Sequence, residues 1–350
     1  MYRLRAPRPA RLLVGLTLLV CAAATPVLGA TAASADAGTT AQQRSVTRVA
    51  GDDRFATAAA AAEDFPSRGE DPSGRHIVFI ASGTNFPDAL SAGPAASALL
   101  APLLLVQQNG LPAATQTALN RLQPEKIVVV GGPASVSADV VQALGKTAPV
   151  TRLAGDDRFA TSRAIMRSVF VDTSSPLYAG PAQEAYIASG NSFPDALSAG
   201  AAAAHFGAPL LIVNGGAAHA DAATIAMTQG LGDVLGVGGP ASLNPAVLDD
   251  LNENAHQYSG SDRYDTAVQV NADSFDQSDT AFLAVGTNFP DALSGGALAG
   301  LYDAPLYITP GNCVPSAVIA ELDRLDVSDV RLLGGPSVLS ESVAALTPCS

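Results

Sequence analysis

The residues of this 350-residue chain whose types and spacing recur together sit in short motifs that each occur three times. GDDRFAT at 51–57 returns unchanged at 155–161 and as GSDRYDT at 260–266. SGTNFPDALSAG at 82–93 returns as SGNSFPDALSAG at 189–200 and VGTNFPDALSGG at 285–296. A Gly-Gly-Pro triplet starts at Gly131, Gly238 and Gly334, and an Ala-Pro-Leu triplet at Ala101, Ala208 and Ala304. The polar candidates for ligand contact are therefore Arg54, Thr57, Asn85 and Asp88 in the first copy. Their counterparts are Arg158, Thr161, Ser192 and Asp195, then Arg263, Thr266, Asn288 and Asp291. An aspartate in the first turn of a helix suits the helix dipole, whereas a cation there is unfavourable by roughly 0.3–1 kcal/mol. An arginine repeated at such a position is expected either to bridge the PDAL aspartate of its own copy or to donate hydrogen bonds to an anionic or hydroxyl-bearing ligand.

Catalytic patterns are weaker. The four histidines, His76, His205, His219 and His256, occupy non-equivalent places and form no H-E-x-x-H spacing. No G-x-S-x-G elbow occurs. Gly145-Lys146-Thr147 resembles the end of a phosphate loop, but Val140 stands where its first glycine belongs. Residues 236–241 match G-x-G-x-x-A, yet Val129 and Leu332 replace Gly236 in the other copies. No catalytic or metal-ligating residue and no cofactor is assigned from the sequence; divalent cations bridging acidic groups to a ligand are the alternative. A threefold repeat is a natural way to build avidity for a repetitive polymer.

The elements that must position these motifs alternate. In the first copy, residues 46–50 read as a short strand and 53–65 as an Ala-rich helix. Residues 77–81, 103–106 and 127–130 read as apolar strands. Helices are expected at 87–100, with Pro near its first turn, at 113–122, and at 137–144 with Ser137 as N-cap. Such alternation implies a parallel sheet covered on both faces. Ligands bind beyond the carboxyl ends of strands in sheets of this kind, and all three motif loops follow strands. The PDAL aspartate lies 43 positions before the Gly-Gly-Pro triplet in every copy, so that stretch should be one packed unit. Between the GDDR arginine and the same aspartate the spacing varies (34, 37 and 28), which marks surface loops. The expected organisation is α/β, three tandem doubly wound modules at 46–149, 150–256 and 257–350, fused with pseudo-threefold packing. Two charge-free runs, 89–106 and 196–213, are broken by Pro94 and Pro102 and by Pro209 into helix, turn and strand rather than membrane spans.

Residues 1–35 read as a cleaved export signal, followed by a short linker at 36–45. Arg3, Arg5, Arg8 and Arg11 precede an uncharged run and the small-x-small site at 33–35. Removing those four arginines takes the formal net charge from −13 to −17. Such acidity argues against nucleic acid as a partner, since that requires a basic face. Hydrophobic residues make up 48%, aromatics only 5%, with no Trp, which suits thin Ala-rich layers. Export permits disulfides, and Cys313 and Cys349 are expected to pair, closing a loop valued at roughly 3–4 kcal/mol by chain-entropy models.

The three motifs together resemble the cell wall binding repeat 2 family of exported Gram-positive proteins. The resemblance spans nearly the whole chain after the signal. It implies three modules packed as an intramolecular trimer, held noncovalently to a cell-wall polysaccharide or anionic secondary polymer. The third copy departs from the pattern at Ser261, Tyr264 and Asp265. The expectation is a secreted, cell-wall-associated, non-catalytic binding protein. The alternatives are an amidase-like wall hydrolase and a surface-assembly protein that binds other proteins.

Overall fold

The computed structural model describes residues 44–68, 74, 76–287 and 290–349. The export signal, most of the linker and Asn288 lie outside the described residues. The first repeat contains β1 (Ser45–Val49), α1 (Arg54–Ala61), β2 (Ile77–Ser82), α2 (Phe86–Ala98), β3 (Leu103–Val106), α3 (Ala113–Leu122), β4 (Lys126–Val130) and α4 (Ala138–Leu144). The second repeats this order as β5 (Val150–Leu153), α5 (Arg158–Met166), β6 (Glu184–Ser189), α6 (Pro194–Phe206), β7 (Leu210–Val213), α7 (Ala222–Thr228), β8 (Asp233–Val237) and α8 (Pro245–Leu251). The third contains β9 (His256–Tyr258), α9 (Arg263–Ser274), β10 (Thr280–Val285), α10 (Gly295–Tyr302), β11 (Leu306–Thr309), α11 (Ser316–Arg324), β12 (Asp329–Leu333) and α12 (Glu341–Ala344). The apolar runs read as strands form strands within a residue of expectation. They are buried on both faces because helices cover both sides of a parallel sheet.

Sheet membership differs from the sequence reading. The strand orders are β3-β2-β4-β5, β7-β6-β8-β9 and β11-β10-β12-β1, parallel throughout. Each sheet takes three strands from one repeat and its fourth from the next, so the repeat boundaries at 149/150 and 256/257 fall inside sheets. In the third sheet the fourth strand is β1, with Ser45 opposite Asp329 and Val49 opposite Leu333, and the ring closes. The physical reason is that β4, β8 and β12 would otherwise expose an unpaired apolar edge. The following helix then crosses onto the next sheet: α1 packs on α3 and β3, and α5 on β7.

At the centre α2, α6 and α10 pack against one another. The last glycine of the second motif, in all three copies, lies where these helices meet. A Cβ added to Gly93 would fall 3.3 Å from the Gly296 Cα, and one on Gly296 about 4.0 Å from the Gly200 carbonyl carbon. Small residues let the three backbones approach, which accounts for the poverty in aromatics. One buried apolar cluster runs through all three repeats, from Phe79 through Tyr186 to Phe282.

Three local details correct the sequence reading. Pro94 lies inside α2 rather than dividing it; the helix ends at Ala98, and Leu100 takes a left-handed φ of 55° before Pro102. The first-motif helices begin at the arginine, not the aspartate before it. In the third repeat, residues 290–292 form a separate 3-10 turn ahead of α10, so that helix starts later than its counterparts. Among the described residues, no helix is long and apolar enough to cross a membrane. Cys313 and Cys349 form the expected disulfide, which joins the C-terminal tail to the loop after β11.

Candidate functional site

The second aspartate of the GDDR motif organises the start of each helix. Asp53 Oδ1 accepts from the backbone N–H groups of Phe55 and Ala56. Asp157 accepts from Ala160, and Asp262 from Tyr264 and Asp265. This capping supplies the negative charge the helix dipole favours and leaves the next residue, the arginine, projecting from the first turn. The motif threonine closes the loop. The hydroxyl oxygens of Thr57, Thr161 and Thr266 each accept from the N–H of the motif's glycine at 3.1 Å. All three threonines are buried, so they shape the loop.

Nη1 of Arg54, Arg158 and Arg263 donates to the carbonyls of Gly83, Gly190 and Gly286, at 2.8, 2.7 and 2.6 Å. Those carbonyls sit at the carboxyl ends of β2, β6 and β10. The same-copy Arg–Asp bridge is not formed. The arginine charge acting on Asp88 is that of Arg158, on Asp195 that of Arg263, and on Asp291 that of Arg54. Each site is thus a seam between two repeats. The swapped strand explains this, because it delivers the next repeat's GDDR loop beside the previous repeat's PDAL helix.

Burial raises the carboxyl groups of Asp88 and Asp195 above the usual carboxylate range, opposed by hydrogen bonds from Ser135 and Ser242 and by the arginines. The serine hydroxyls donate to Oδ2 at 2.9 and 3.1 Å. Val338 occupies the matching place in the third copy, and there Thr57 serves as the hydrogen-bond partner of Asp291. Burial raises Asp291 as well, although it is only half-buried. The first glycine of each Gly-Gly-Pro triplet wraps the carboxylate. Gly131 has φ 103°, and an added Cβ would lie 2.4 Å from Asp88 Oδ2. This contact is the reason for the constant 43-residue spacing.

A second cation, missed in the sequence reading, holds the triplet from the other side. Arg48 donates to the carbonyls of Leu339 and Gly334, and Arg152 to those of Gly131 and Val136. Gln257 takes the equivalent place against Gly238 and Leu243. The signal was available as V-T-R, repeated just before the GDDR motif at 46–48 and 150–152. Ser135 and Ser242 were equally legible as a serine four residues after the first triplet glycine.

Of the remaining candidates, Asn85 is exposed and Ser192 half-exposed, both on the loop that carries the arginine-bound glycine carbonyl. Arg54 and Arg158 are half-buried and Arg263 is exposed. With only Nη1 engaged at the glycine carbonyl, each guanidinium keeps further N–H groups. The seam can therefore donate several hydrogen bonds to an anionic or hydroxyl-bearing group while the neighbouring carboxylate holds the loops in place.

A family model described as cell wall binding domain 2 (CWB2) matches residues 48–141, 152–248 and 257–344. The chain is 26% identical over 303 residues to the N-acetylmuramoyl-L-alanine amidase LytC of Bacillus subtilis, covering 86% of this chain and 57% of that protein. It is 26% identical over 278 residues to the amidase enhancer of the same organism, covering 77% of this chain and 35% of that protein. It thus spans only about half, or less, of the length of these relatives. Among solved structures, Cwp6 from Clostridium difficile superposes with a TM-score of 0.74 at 26% identity, over 87% of this chain and 48% of that one. Cwp8 from the same organism shares the fold, with a TM-score of 0.74 at 24% identity over 86% and 51%.

Proposed function

The chain belongs to the cell wall binding domain 2 family, and on that premise we propose that it is an exported protein that attaches noncovalently to the cell wall. The attachment runs through secondary polymers, by way of three repeated seams and without catalysis of its own. The observation that carries this reading is the family match to all three repeats. The geometry supports it: each repeat contributes to a seam with an arginine, and three related sites in one compact unit suit a polymer of repeating units.

The hydrolase alternative is less well supported. Two relatives with different names, an N-acetylmuramoyl-L-alanine amidase and an amidase enhancer, match this chain over 303 and 278 residues, so similarity over such a length does not by itself carry hydrolase activity. That sharing supports the non-enzymatic reading. Purified cell-wall sacculi provide the test. The protein, freed of residues 1–35, should sediment with intact sacculi and lose that behaviour once secondary polymers are stripped. Failure to bind intact sacculi overturns the reading, and release of labelled peptidoglycan by the wild type restores the hydrolase.

The net charge of −17 expected after signal removal works against an anionic polymer. Charges screened over about 8 Å at physiological salt leave the seam arginines dominant locally. Direct contact through those arginines requires that salt weaken binding while chelators leave it unchanged. Release by a chelator would instead assign the contact to divalent cations bridging acidic groups.

A further inference from the structure

The second repeat holds a cavity of about 310 Å³ beyond the carboxyl end of β7. Three features set its walls apart from the equivalent places in the other repeats. The loop at 214–221 is two residues longer than those at 107–112 and 310–315. Arg163 stands where the first and third repeats carry Ala59 and Val268, and Asn214 where they carry Gln107 and Pro310. In the third repeat the corresponding loop is tied down by Cys313.

The floor of the cavity is apolar, made by Val213, Val247 and the ring of Phe159. Its rim is polar, and it is held in shape. His219 Nδ1 bonds Asp250 Oδ2 at 3.0 Å, and the Ala220 N–H donates to the same oxygen at 2.9 Å. Asn244 Nδ2 donates to the Ala217 carbonyl at 2.9 Å, and Asn191 Nδ2 to Asn214 Oδ1 at 3.0 Å. These bonds leave the amide N–H groups of Asn214 and the Nε2 of His219 for a ligand. Arg163 is already engaged by Asp221 at 3.1 Å and by Thr224 at 2.9 Å, so its charge is neutralised. Asp157, the cap of α5, adds a carboxylate at the rim. The net negative rim disfavours phosphate and uronate groups but accepts hydroxyl donors.

We propose that this cavity is a subsite for one uncharged sugar unit, seated with its apolar face on Phe159 and Val213 and its hydroxyls on Asn214, His219 and Asp157. The volume is at the lower end of small-molecule pockets, fitting a single ring. Asp157 and Phe159 flank Arg158, so the subsite lies beside the Asp88–Arg158 seam. A polymer crossing that seam would present its next unit here. This placement rests on the wall-attachment reading; the sugar site itself does not.

The test is an amide chemical-shift titration of the mature chain with glucose, N-acetylglucosamine and glucuronic acid at millimolar concentrations. Saturable shifts in the 214–221 loop with one or both neutral sugars, and weaker ones with glucuronic acid, are expected. Ala217→Trp, which fills the cavity from an exposed loop, should abolish them, and Asn214→Ala should weaken binding about tenfold. No saturable shift, a stronger response to glucuronic acid, or shifts that survive Ala217→Trp overturn the proposal. Sedimentation with sacculi separates the two readings. If the wild type sediments and shows no sugar shifts, the subsite alone falls. If it shows the shifts and fails to sediment, wall attachment falls and the subsite stands. Undiminished sedimentation of Ala217→Trp removes the subsite from the wall contact.

Discussion

At the scale of single residues, the seam is built by contacts too close to tolerate an added methyl group. Gly131 combines a φ of 103° with a carboxylate oxygen 2.4 Å from where its Cβ would be, while a Cβ on the adjacent Gly132 meets nothing within 4 Å. Gly131→Ala should therefore destabilise the protein by about 1–3 kcal/mol, and Gly132→Ala by much less. Urea unfolding of the pair measures the difference. The buried aspartates give a pH signature. Asp88 and Asp195 bind a proton more readily in the folded than in the unfolded chain, because burial raises them. Where the folded state holds the extra proton, stability falls as pH rises. The cost of burying the two carboxylates is complete at neutral pH and fades as pH drops toward the ordinary aspartate value of about 3.9. Melting of the wild type and of Asp88→Asn/Asp195→Asn between pH 7 and about pH 4 should show the wild type gaining on the variant as pH falls. The identities of these residues were legible from their recurrence. Their partners were not, since the sequence reading paired Arg54 with Asp88 and the fold sets it near Asp291.

At the scale of elements, the informative unit is the strand that leaves its repeat. Helix and strand positions were readable because apolar periodicity and turn residues act over a few positions. Caps were partly readable: Ser137 accepts from Val140 as expected, while the role of Asp53 as cap was assigned to the helix body. What spacing could not reveal is that β5 completes the sheet of β4 rather than that of β6. A strand's own sequence carries its tendency to pair, not the identity of the open edge it will meet. Strand β1 provides the test, because it alone reaches its sheet across the whole chain. Deleting residues 44–50 should strip amide-exchange protection from β12 while leaving β4 and β8 protected by β5 and β9. Equal protection in all three strands would show that β1 is dispensable to the ring.

At the scale of the whole molecule, the proposed wall attachment makes three seams on one compact unit a multivalent surface. Losing one site from a linked set lowers the apparent affinity by the effective concentration it supplied. Arg54→Gln, Arg158→Gln and Arg263→Gln should therefore weaken sedimentation with sacculi progressively, the triple variant losing roughly 10²-fold or more. Each variant also loses a hydrogen bond to a glycine carbonyl and a charge beside a raised aspartate. Thermal melting should therefore show a modest loss of about 1 kcal/mol per site, and sedimentation is compared well below the melting temperature. A first substitution that abolishes all binding would point to a single functional seam instead.

The sequence by itself determined the number of repeats, the order of elements, the parallel α/β class and the sheet edge on which the repeated loops gather. It also supplied the pairing of Cys313 with Cys349, there being two cysteines after the signal. All of these follow from local periodicity, recurrence and count. Only the tertiary structure decided which repeats share a sheet, which arginine faces which aspartate, and that Gly93, Gly200 and Gly296 meet at a common axis. Those relations depend on which open edges and which smooth helix faces come together when the ring closes, and that closure is a property of all three repeats at once. The candidate edge was visible in one repeat, but the candidate site on it spans two.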